Sequence, residues 1–259
     1  MAVSAGSCIR EAQMRILMRI EYDGRDFHGW QFQPGTPTVQ NSIEKALAEL
    51  CGRHVPVTGA GRTDAGVHAA DLPVHLDILP EELARISNGL NSRLPSSIGC
   101  WSVKEVADDF HARFNAISRS YCYRIAKSRH PLTRIAEYQP HKPELKTDHM
   151  LRAARMSQGK NSWKGFSKEG SGNATWDMNV LEASVEEDNL GWNLLVTANR
   201  FLRGVVRIWA GTLFRVGTGR IEPEVIQQIL MEENRDKAGP SLPACGLTLM
   251  EVVYPNEVQ

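Results

Sequence analysis

The sequence predicts an α+β fold made of two similar halves. The main observation is that the same order of elements, β-α-β-β-α-β, occurs twice along the chain, and this is the ferredoxin-like order. The length of 259 residues suits one large domain or two of ordinary size. Hydrophobic residues make up 42% of the chain, which is enough for a substantial core.

The first half begins with a strand in which Ile16, Met18 and Ile20 recur at every second position. Thr38 is expected to cap a helix over residues 39–50, where apolar residues recur at helical spacing. The remaining predicted elements are strands at residues 55–60, 72–76 and 98–106, and a helix from Pro80 to about residue 90.

The second half repeats this order and adds one helix. We expect strands at residues 119–126, 179–185, 192–198 and 248–254. Helices are predicted at residues 148–156, from 201 to about 214, and, as the extra helix, from 223 to about 233. The sequence therefore predicts a flexible tail at residues 1–13, an N-terminal half at 14–108 and a C-terminal half at 109–259.

The eight residues GRTDAGVH at positions 61–68, hereafter the octet, are the strongest candidate site. They follow an apolar run, and Asp64-Ala65-Gly66 has the chemistry of a turn. If the strand continues through Thr63, Arg62 and Asp64 project from the same face, because side chains alternate along a strand. An adjacent guanidinium favours the ionised form of a carboxylate. The alternative is that Asp64 only forms a turn and Arg62 is solvated.

Charge is balanced overall but uneven along the chain. Thirty Lys and Arg residues match thirty Asp and Glu residues. Residues 110–136 contain six basic residues and no acid, and residues 189–221 contain five arginines and no acid. Such stretches favour a nucleic-acid groove over ordinary solvated faces, because binding a polyanion requires concentrated positive charge. The basic residues are Arg113, Arg119, Arg124, Lys127, Arg129 and Arg134, and then Arg200, Arg203, Arg207, Arg215 and Arg220.

Cysteine usage and hydropathy favour no disulfide framework, metal site or membrane span. The five cysteines are odd in number and lack C-x-x-C spacing, which indicates free thiols in a reducing, cytoplasmic compartment. His68 and His75 have no third donor at a recognised spacing, so we expect structural roles and no bound metal. No segment approaches the roughly 18 apolar residues of a membrane span, and the N-terminus lacks a hydrophobic signal core.

The chain resembles the TruA-type family of tRNA pseudouridine synthases over nearly its whole length. The octet is strongly specific for that family, and seven further blocks occur in the family's order. These blocks are Glu21-Tyr22-Asp23-Gly24 through Gly29-Trp30-Gln31, Thr38-Val39-Gln40, Asn91 through Leu94-Pro95, Asp109-Phe110-His111-Ala112-Arg113-Phe114, Arg119-Ser120-Tyr121-Cys122-Tyr123, Phe201-Leu202 with Val206-Arg207, and Gly246-Leu247-Thr248-Leu249 through Tyr254-Pro255.

This resemblance implies the pseudouridine synthase fold, with two ferredoxin-like (βαββαβ) halves sharing a mainly antiparallel sheet and an active-site cleft between them. It also implies a homodimer that binds tRNA and isomerises uridine to pseudouridine at positions 38–40 of the anticodon stem-loop. The reaction breaks the bond from ribose C1′ to N1 and joins C1′ to C5 of the same base. Nothing is oxidised and no group is donated, so we expect no cofactor and no metal. Common nucleotide and zinc motifs are accordingly absent from the sequence.

Carried over residue by residue, the resemblance makes Asp64 the catalytic carboxylate, which either attacks C1′ or removes a ribose proton. It assigns Tyr121 to stacking on the flipped base, with a plain core position as the alternative. It assigns Arg207 to pairing with the acid. Arg62, with the adjacent Thr63, is expected to contact the RNA or to hold the flipped nucleotide.

Two further arginines are candidate phosphate contacts. Arg200, Arg203 and Arg207 fall at i, i+3 and i+7, which predicts one face of the helix that begins near residue 201. Like charges on one face repel each other unless anions face them, so Arg200 and Arg203 are expected to bind phosphates. A solvated helix face is the alternative for these two residues.

Several positions depart from the family pattern. A segment that usually reads His/Asn-Asp-Phe before a basic loop is here Asn161-Ser162-Trp163, and residues 170–174 lack basic side chains. Ile208 replaces a common asparagine, and Cys245 a frequent glutamate. The choice of RNA therefore stays open, and a divergent paralogue with a different or narrower target is one alternative. A non-catalytic RNA-binding protein and a small-molecule enzyme are the others.

Overall fold

The computed structural model describes residues 12–128, 136–141, 144–168 and 175–255. Strands and α-helices alternate through these residues, and short 3₁₀ helices flank several of them. In chain order the strands and α-helices are β1 (Met14–Tyr22), α1 (Val39–Cys51), β2 (Thr58–Gly59), β3 (His68–Ile78), α2 (Leu83–Gly89), β4 (Ile98–Glu105), β5 (Ser118–Ala126), α3 (Thr147–Arg155), β6 (Gly159–Ser162), β7 (Asp177–Glu187), β8 (Gly191–Ala198), α4 (Val205–Gly217), α5 (Val225–Glu232) and β9 (Leu247–Val253).

The strands of the described residues form one sheet in the order β4-β1-β3-β9-β5-β8-β7-β6, and β2 pairs with β3. The pairs between these strands are antiparallel except for β3 with β9. That parallel pair is short, since it joins only His68 to Thr248 and Ala69 to Leu249. The predicted α+β fold with a mainly antiparallel sheet is confirmed. The first half has the predicted order β-α-β-β-α-β, and the second half adds strand β6 and helix α5 to that order.

Two clusters of buried hydrophobic side chains support the two halves of the sheet. Strand β9 contributes to both clusters, because Leu247 lies in the cluster of the C-terminal half and Leu249 in the cluster of the N-terminal half. Tyr121 on β5 packs against both clusters as well. Between the halves, β4 ends at Glu105 and β5 begins at Ser118. The division into residues 14–108 and 109–259 remains a prediction.

Helix α1 forms where the sequence predicts it, for local reasons. The Oγ1 atom of Thr38 accepts a hydrogen bond from the backbone N–H of Asn41, at 3.4 Å, and so satisfies one free donor of the first turn. Gly52 ends the helix in the left-handed region at φ 70°, where a residue with a side chain is strained. Ile43 and Leu47 are buried and fix the helix against the sheet.

Three elements differ from the sequence-based prediction. Strand β6 was missed, because Gly159–Ser162 is short and polar and shows no alternation of apolar residues. Strand β2 pairs only at Thr58–Gly59, although Val55 and Val57 before it are buried in the core. Helix α4 begins at Val205 and not near residue 201, because Gly204 takes the left-handed conformation at φ 71° and breaks the helical path.

Some predictions fall outside the described residues. These are the flexible tail except for its last two positions, Arg129 and Arg134 of the first basic stretch, and residues 170–174 of the departing loop. The four cysteines that the structure describes are free thiols. No helix in the described ranges is long and apolar enough to span a membrane.

His75 on β3 holds the connection between the halves against the sheet. It is 7% exposed, and its Nδ1 atom accepts a hydrogen bond from the backbone N–H of Ala112, at 3.2 Å. Burial lowers the pKa of His75 to about 4; the positive charges of His111 and Arg15 act in the same direction, and Asp77 and a backbone hydrogen bond to Thr58 oppose them. The structural role expected for this histidine agrees with its neutral, buried position.

We predict that His75 makes the free energy of unfolding depend on pH between about 6.5 and 4. In this window the unfolded chain binds a proton at residue 75 and the folded chain does not, so stability falls as the pH falls. The depressed pKa corresponds to a loss of up to about 3 kcal/mol, at 1.36 kcal/mol per pKa unit. Urea unfolding of the wild type and of His75→Gln at pH 7, 5.5 and 4 measures the difference. An equally steep loss in the variant would contradict the prediction.

Candidate active site at the junction of the halves

The octet leads from β2 into β3, at the place where the two halves of the sheet meet. Arg62, Thr63 and Asp64 do not extend β2, and a turn at Ala65-Gly66 follows, with Gly66 at φ 78°. The backbone N–H of Val67 donates to the carbonyl of Asp64 at 3.2 Å and closes this turn. The condition for Arg62 and Asp64 to share a strand face is therefore not met. Arg62 is instead exposed to solvent.

The connection between β1 and α1 packs directly beneath the octet and fixes its path. Thr63 is buried, and its hydroxyl shares a hydrogen bond of 2.8 Å with the hydroxyl of Tyr22. The backbone N–H of Trp30 donates to the carbonyl of Thr63 at 3.2 Å. Gly29 lies so close that an added Cβ would stand 2.6 Å from that same carbonyl. Only glycine fits there, so the first half positions the octet by backbone contact.

Arg207, in the first turn of α4, reaches Asp64 from the second half. Its Nη1 atom lies 3.4 Å from Oδ2 of Asp64. Its Nε atom donates to the carbonyl of Leu242 at 2.7 Å, which fixes the plane of the guanidinium. The side chain of Arg207 is 16% exposed and that of Asp64 is 33% exposed, so the carboxylate remains open to a bound molecule. The pair joins residues that are 143 positions apart.

Tyr121 on β5 lies within electrostatic range of Asp64. Its ring meets the ring of Phe201 edge to face, with centroids 4.8 Å apart and planes at 78°. Burial raises the pKa of Tyr121 to about 12; Arg119 opposes the rise and the negative charge of Asp64 adds to it. Asp64 is therefore within electrostatic range of the phenol, and Tyr121 is neutral at physiological pH.

The expectation that Arg200 and Arg203 share a helix face with Arg207 is wrong. Both residues precede α4, because the helix begins only after Gly204. Arg200 donates through Nη1 to the hydroxyl of Thr175 at 3.2 Å, and Arg203 is exposed. The i, i+3, i+7 spacing is a coincidence of sequence, since it has geometric meaning only within a helix.

His68, at the end of the octet, is a buried structural residue. Its Nδ1 atom accepts a hydrogen bond from the backbone N–H of Gly24 and lies 3.2 Å from a carboxylate oxygen of Asp23. Burial lowers the pKa of His68, and the charge of Asp23 opposes this shift. Among the described residues, no group of three His, Cys, Asp or Glu side chains is arranged to hold a metal ion.

Residue-by-residue reasoning missed two parts of the site. Tyr22 lies within a block that matches the family, but the sequence does not indicate that its hydroxyl bonds that of Thr63. Leu242 has no side-chain signal at all, because it acts through its carbonyl oxygen. Of the departures from the family pattern, Ile208 is completely buried. Cys245 lies within electrostatic range of Arg207, and burial raises the pKa of its thiol.

The family model for tRNA pseudouridine synthases matches residues 18–115 and 153–255. The chain belongs to the tRNA pseudouridine synthase family. It is 37% identical over 247 residues to tRNA pseudouridine synthase A of Bacteroides fragilis, covering 94% of this chain and 98% of that one. It is also 37% identical over 249 residues to the enzyme of the same name in Bacillus licheniformis, covering 94% of this chain and 100% of that one.

Membership of the tRNA pseudouridine synthase family establishes the activity as an isomerisation, and the fold as that of pseudouridine synthases. Among solved structures, a Cbf5-Nop10-Gar1 complex aligns with 91% of this chain and 58% of its own, at a TM-score of 0.35 and 11% identity. A likeness this low adds nothing to the family assignment.

We predict that Arg207→Lys lowers kcat/KM for pseudouridine formation by on the order of 100-fold, the typical effect of losing one fixed charged donor at an active site. A lysine has a single terminal nitrogen and cannot bond Leu242 and Asp64 in the same fork geometry. Release of tritium from 5-tritiated uridine in tRNA measures the rate. Arg155→Lys is the matched control, because Arg155 is exposed at the end of α3 and keeps its charge. Wild-type activity in Arg207→Lys would show that the paired contacts of the guanidinium with Leu242 and Asp64 are not needed for the reaction.

Proposed function

We propose that the chain converts uridine to pseudouridine in the anticodon stem-loop of tRNA, with Asp64 as the catalytic carboxylate. The observation that carries this proposal is the contact between Asp64 and Arg207 within a partly open junction, in a chain whose family performs this reaction. Asp64 has a fixed partner on one side and solvent on the other, so it can approach a ribose without losing its orientation.

The reaction needs one carboxylate and a pocket that retains the detached uracil. The C1′–N1 bond breaks, the base turns, and a C1′–C5 bond forms; C5 then loses a proton and N1 gains one, so atoms and electrons balance. Asp64 either attacks C1′ and forms a covalent intermediate or removes a ribose proton, and both routes place the same oxygen beside the sugar. The guanidinium of Arg207 limits rotation of that carboxylate in either case.

Tyr121 is proposed to stack on the flipped base. Unstacking a base costs a few kcal/mol, and an aromatic partner in the pocket returns about 1 to 3 kcal/mol of it. The support for this role is that Tyr121 lies within electrostatic range of Asp64 and that an edge-to-face contact fixes its ring against Phe201. Because the phenol is neutral, the ring can lie against a base without placing a second negative charge near Asp64.

Binding of the tRNA body is proposed to depend on arginines around the junction whose side chains reach solvent. Arg62 and Arg203 are exposed and Arg200 is half-buried, so their guanidinium groups are accessible to phosphates. Thr63 is the buried residue of the octet next to Asp64, and we propose that it acts by orienting Asp64 and not by touching RNA. As the resemblance implies, we further propose a homodimer that acts in the cytoplasm, with two subunits sharing one tRNA.

Asp64→Asn is expected to abolish pseudouridine formation while tRNA binding remains within about threefold of the wild type. The amide has nearly the same shape but lacks the charge that either route requires. Filter binding gives the affinity, and nucleoside analysis of the digested tRNA gives the product. Asp77→Asn, which removes an acid on β3 away from the octet, serves as the control. Product at the normal rate from Asp64→Asn would reject the catalytic assignment.

Mapping of modified positions on a panel of unmodified tRNA transcripts tests the proposed target. We expect pseudouridine in the anticodon stem-loop and in no other part of the tRNA, without any added cofactor. Modification of a single tRNA or of another RNA would instead support the divergent paralogue. Salt-sensitive binding with no product on any RNA would support a non-catalytic binding protein.

A further inference from the structure

Phe114 is the most exposed Phe, Trp or Tyr side chain in the described part of the chain, with 75% of its surface accessible. The guanidinium of Arg113 lies 5.7 Å from the centroid of its ring, and the ring of His111 lies 4.3 Å away at a tilt of 37°. An exposed aromatic ring beside a guanidinium offers a stacking face and a positive charge, the two features with which proteins bind unpaired nucleotides. The catalytic arrangement around Asp64 makes no use of it.

The turn that displays this ring is held by its own hydrogen bonds. The backbone N–H of His111 donates to the side-chain oxygen of Asn115 at 2.5 Å, and the backbone N–H of Asn115 donates to the carbonyl of His111 at 3.0 Å. The backbone N–H groups of Arg113 and Phe114 donate to Nδ1 of His111, at 3.2 and 3.4 Å. Because the turn is already ordered, binding there loses little conformational entropy.

Arg119 ties this turn to the octet. Its Nη2 atom donates to the carbonyl of Arg113 at 2.6 Å and to the carbonyl of Ala60, the residue before the octet, at 3.5 Å. Its Nη1 atom donates to the carbonyls of Ala116 and Asn199, at 3.0 and 2.9 Å. One guanidinium therefore fixes the exposed turn, the entry to the octet and the segment after β8 relative to one another.

The charge around the turn suits a nucleotide. Residues 110–136 contain no acid, and none of the salt bridges among the described residues involves Arg113. The two acids just before the turn, Asp108 and Asp109, interact electrostatically with Arg15. An unpaired nucleotide has both a base face that stacks on an aromatic ring and a phosphate that pairs with a guanidinium.

We propose that Phe114 and Arg113 form a contact site for an unpaired nucleotide next to the target uridine. The ring of Phe114 stacks on the base, the guanidinium of Arg113 bonds the phosphate, and Arg119 is the positioning residue that holds the site beside the octet. The inference rests on the proposed function, because it requires an RNA strand to lie over Asp64. It adds a second base contact outside the pocket that receives the flipped uracil.

A substitution series at Phe114 tests the stacking. Phe114→Trp, which keeps an aromatic face, is expected to bind a tRNA transcript as the wild type does. Phe114→Leu and Phe114→Ala are expected to raise Kd and KM by about 5- to 100-fold, the range for loss of one stacked base. The kcat at saturating tRNA should not change, because the contact forms equally in ground and transition states. Met231→Ala is the matched control, since Met231 is 76% exposed on α5.

Two further measurements identify the occupant. Arg113→Ala is expected to reduce the slope of log K against log salt by about 1, as loss of one phosphate contact does. A transcript with 5-iodouridine beside the target should photo-crosslink to the peptide that contains Phe114. Crosslinking at other peptides alone, or an unchanged salt slope, would count against the site.

The remaining outcomes separate this inference from the proposed function. Wild-type Kd and KM in Phe114→Leu, with normal turnover by the wild-type enzyme, would overturn the contact site alone. Absence of pseudouridine from the wild-type reaction would reject the proposed function itself. If Phe114→Ala converts a dimer to monomers in sedimentation equilibrium while monomers bind tRNA normally, a second copy of the chain covers the ring and the inference is wrong. Thermal melting should be unchanged in every variant, because both side chains are exposed.

Discussion

The contact between Asp64 and Arg207 is the constraint on which the rest of the site depends. Each partner is fixed by its own half of the chain, Asp64 through the turn of the octet and Arg207 through the carbonyl of Leu242. At 3.4 Å the two charges meet only if both halves hold a fixed relative position. A shift of about 1 Å between the halves would misplace the carboxylate, and catalytic groups tolerate little such displacement.

The hydrophobic packing shows how that relative position is maintained. Tyr121 packs against both hydrophobic clusters and also lies within electrostatic range of Asp64, so one residue couples core packing to the site. Strand β9 likewise contributes side chains to both clusters. Arg119 adds a polar connection through four backbone carbonyls that belong to three separate segments. The junction is thus continuous with the interior of both halves.

The sequence predicted elements whose signals are local and missed those that depend on distant contacts. Helix α1 was predictable because both of its ends depend on local residues: Thr38 caps the first turn, and Gly52 ends the last turn in the left-handed conformation. The start of α4 was not, because the left-handed conformation of Gly204 leaves no trace in hydrophobic periodicity. The pairing of Asp64 with a residue 143 positions away came from family resemblance, since no periodicity or spacing rule reaches that far. Leu242 could not be found by any side-chain argument, because it contributes a carbonyl oxygen.

The position of β9 has a consequence for how the enzyme is made. This strand is the last one in the described chain, yet it lies in the middle of the sheet, between β3 and β5. Until β9 leaves the ribosome, the first half lacks Leu249, Val252 and Tyr254 of its hydrophobic cluster and has no partner strand through which to join β5. Pairings between segments so distant in sequence form late. A nascent chain therefore carries Asp64 and Arg207 long before it can modify RNA, and a product truncated ahead of β9 would lack a working centre.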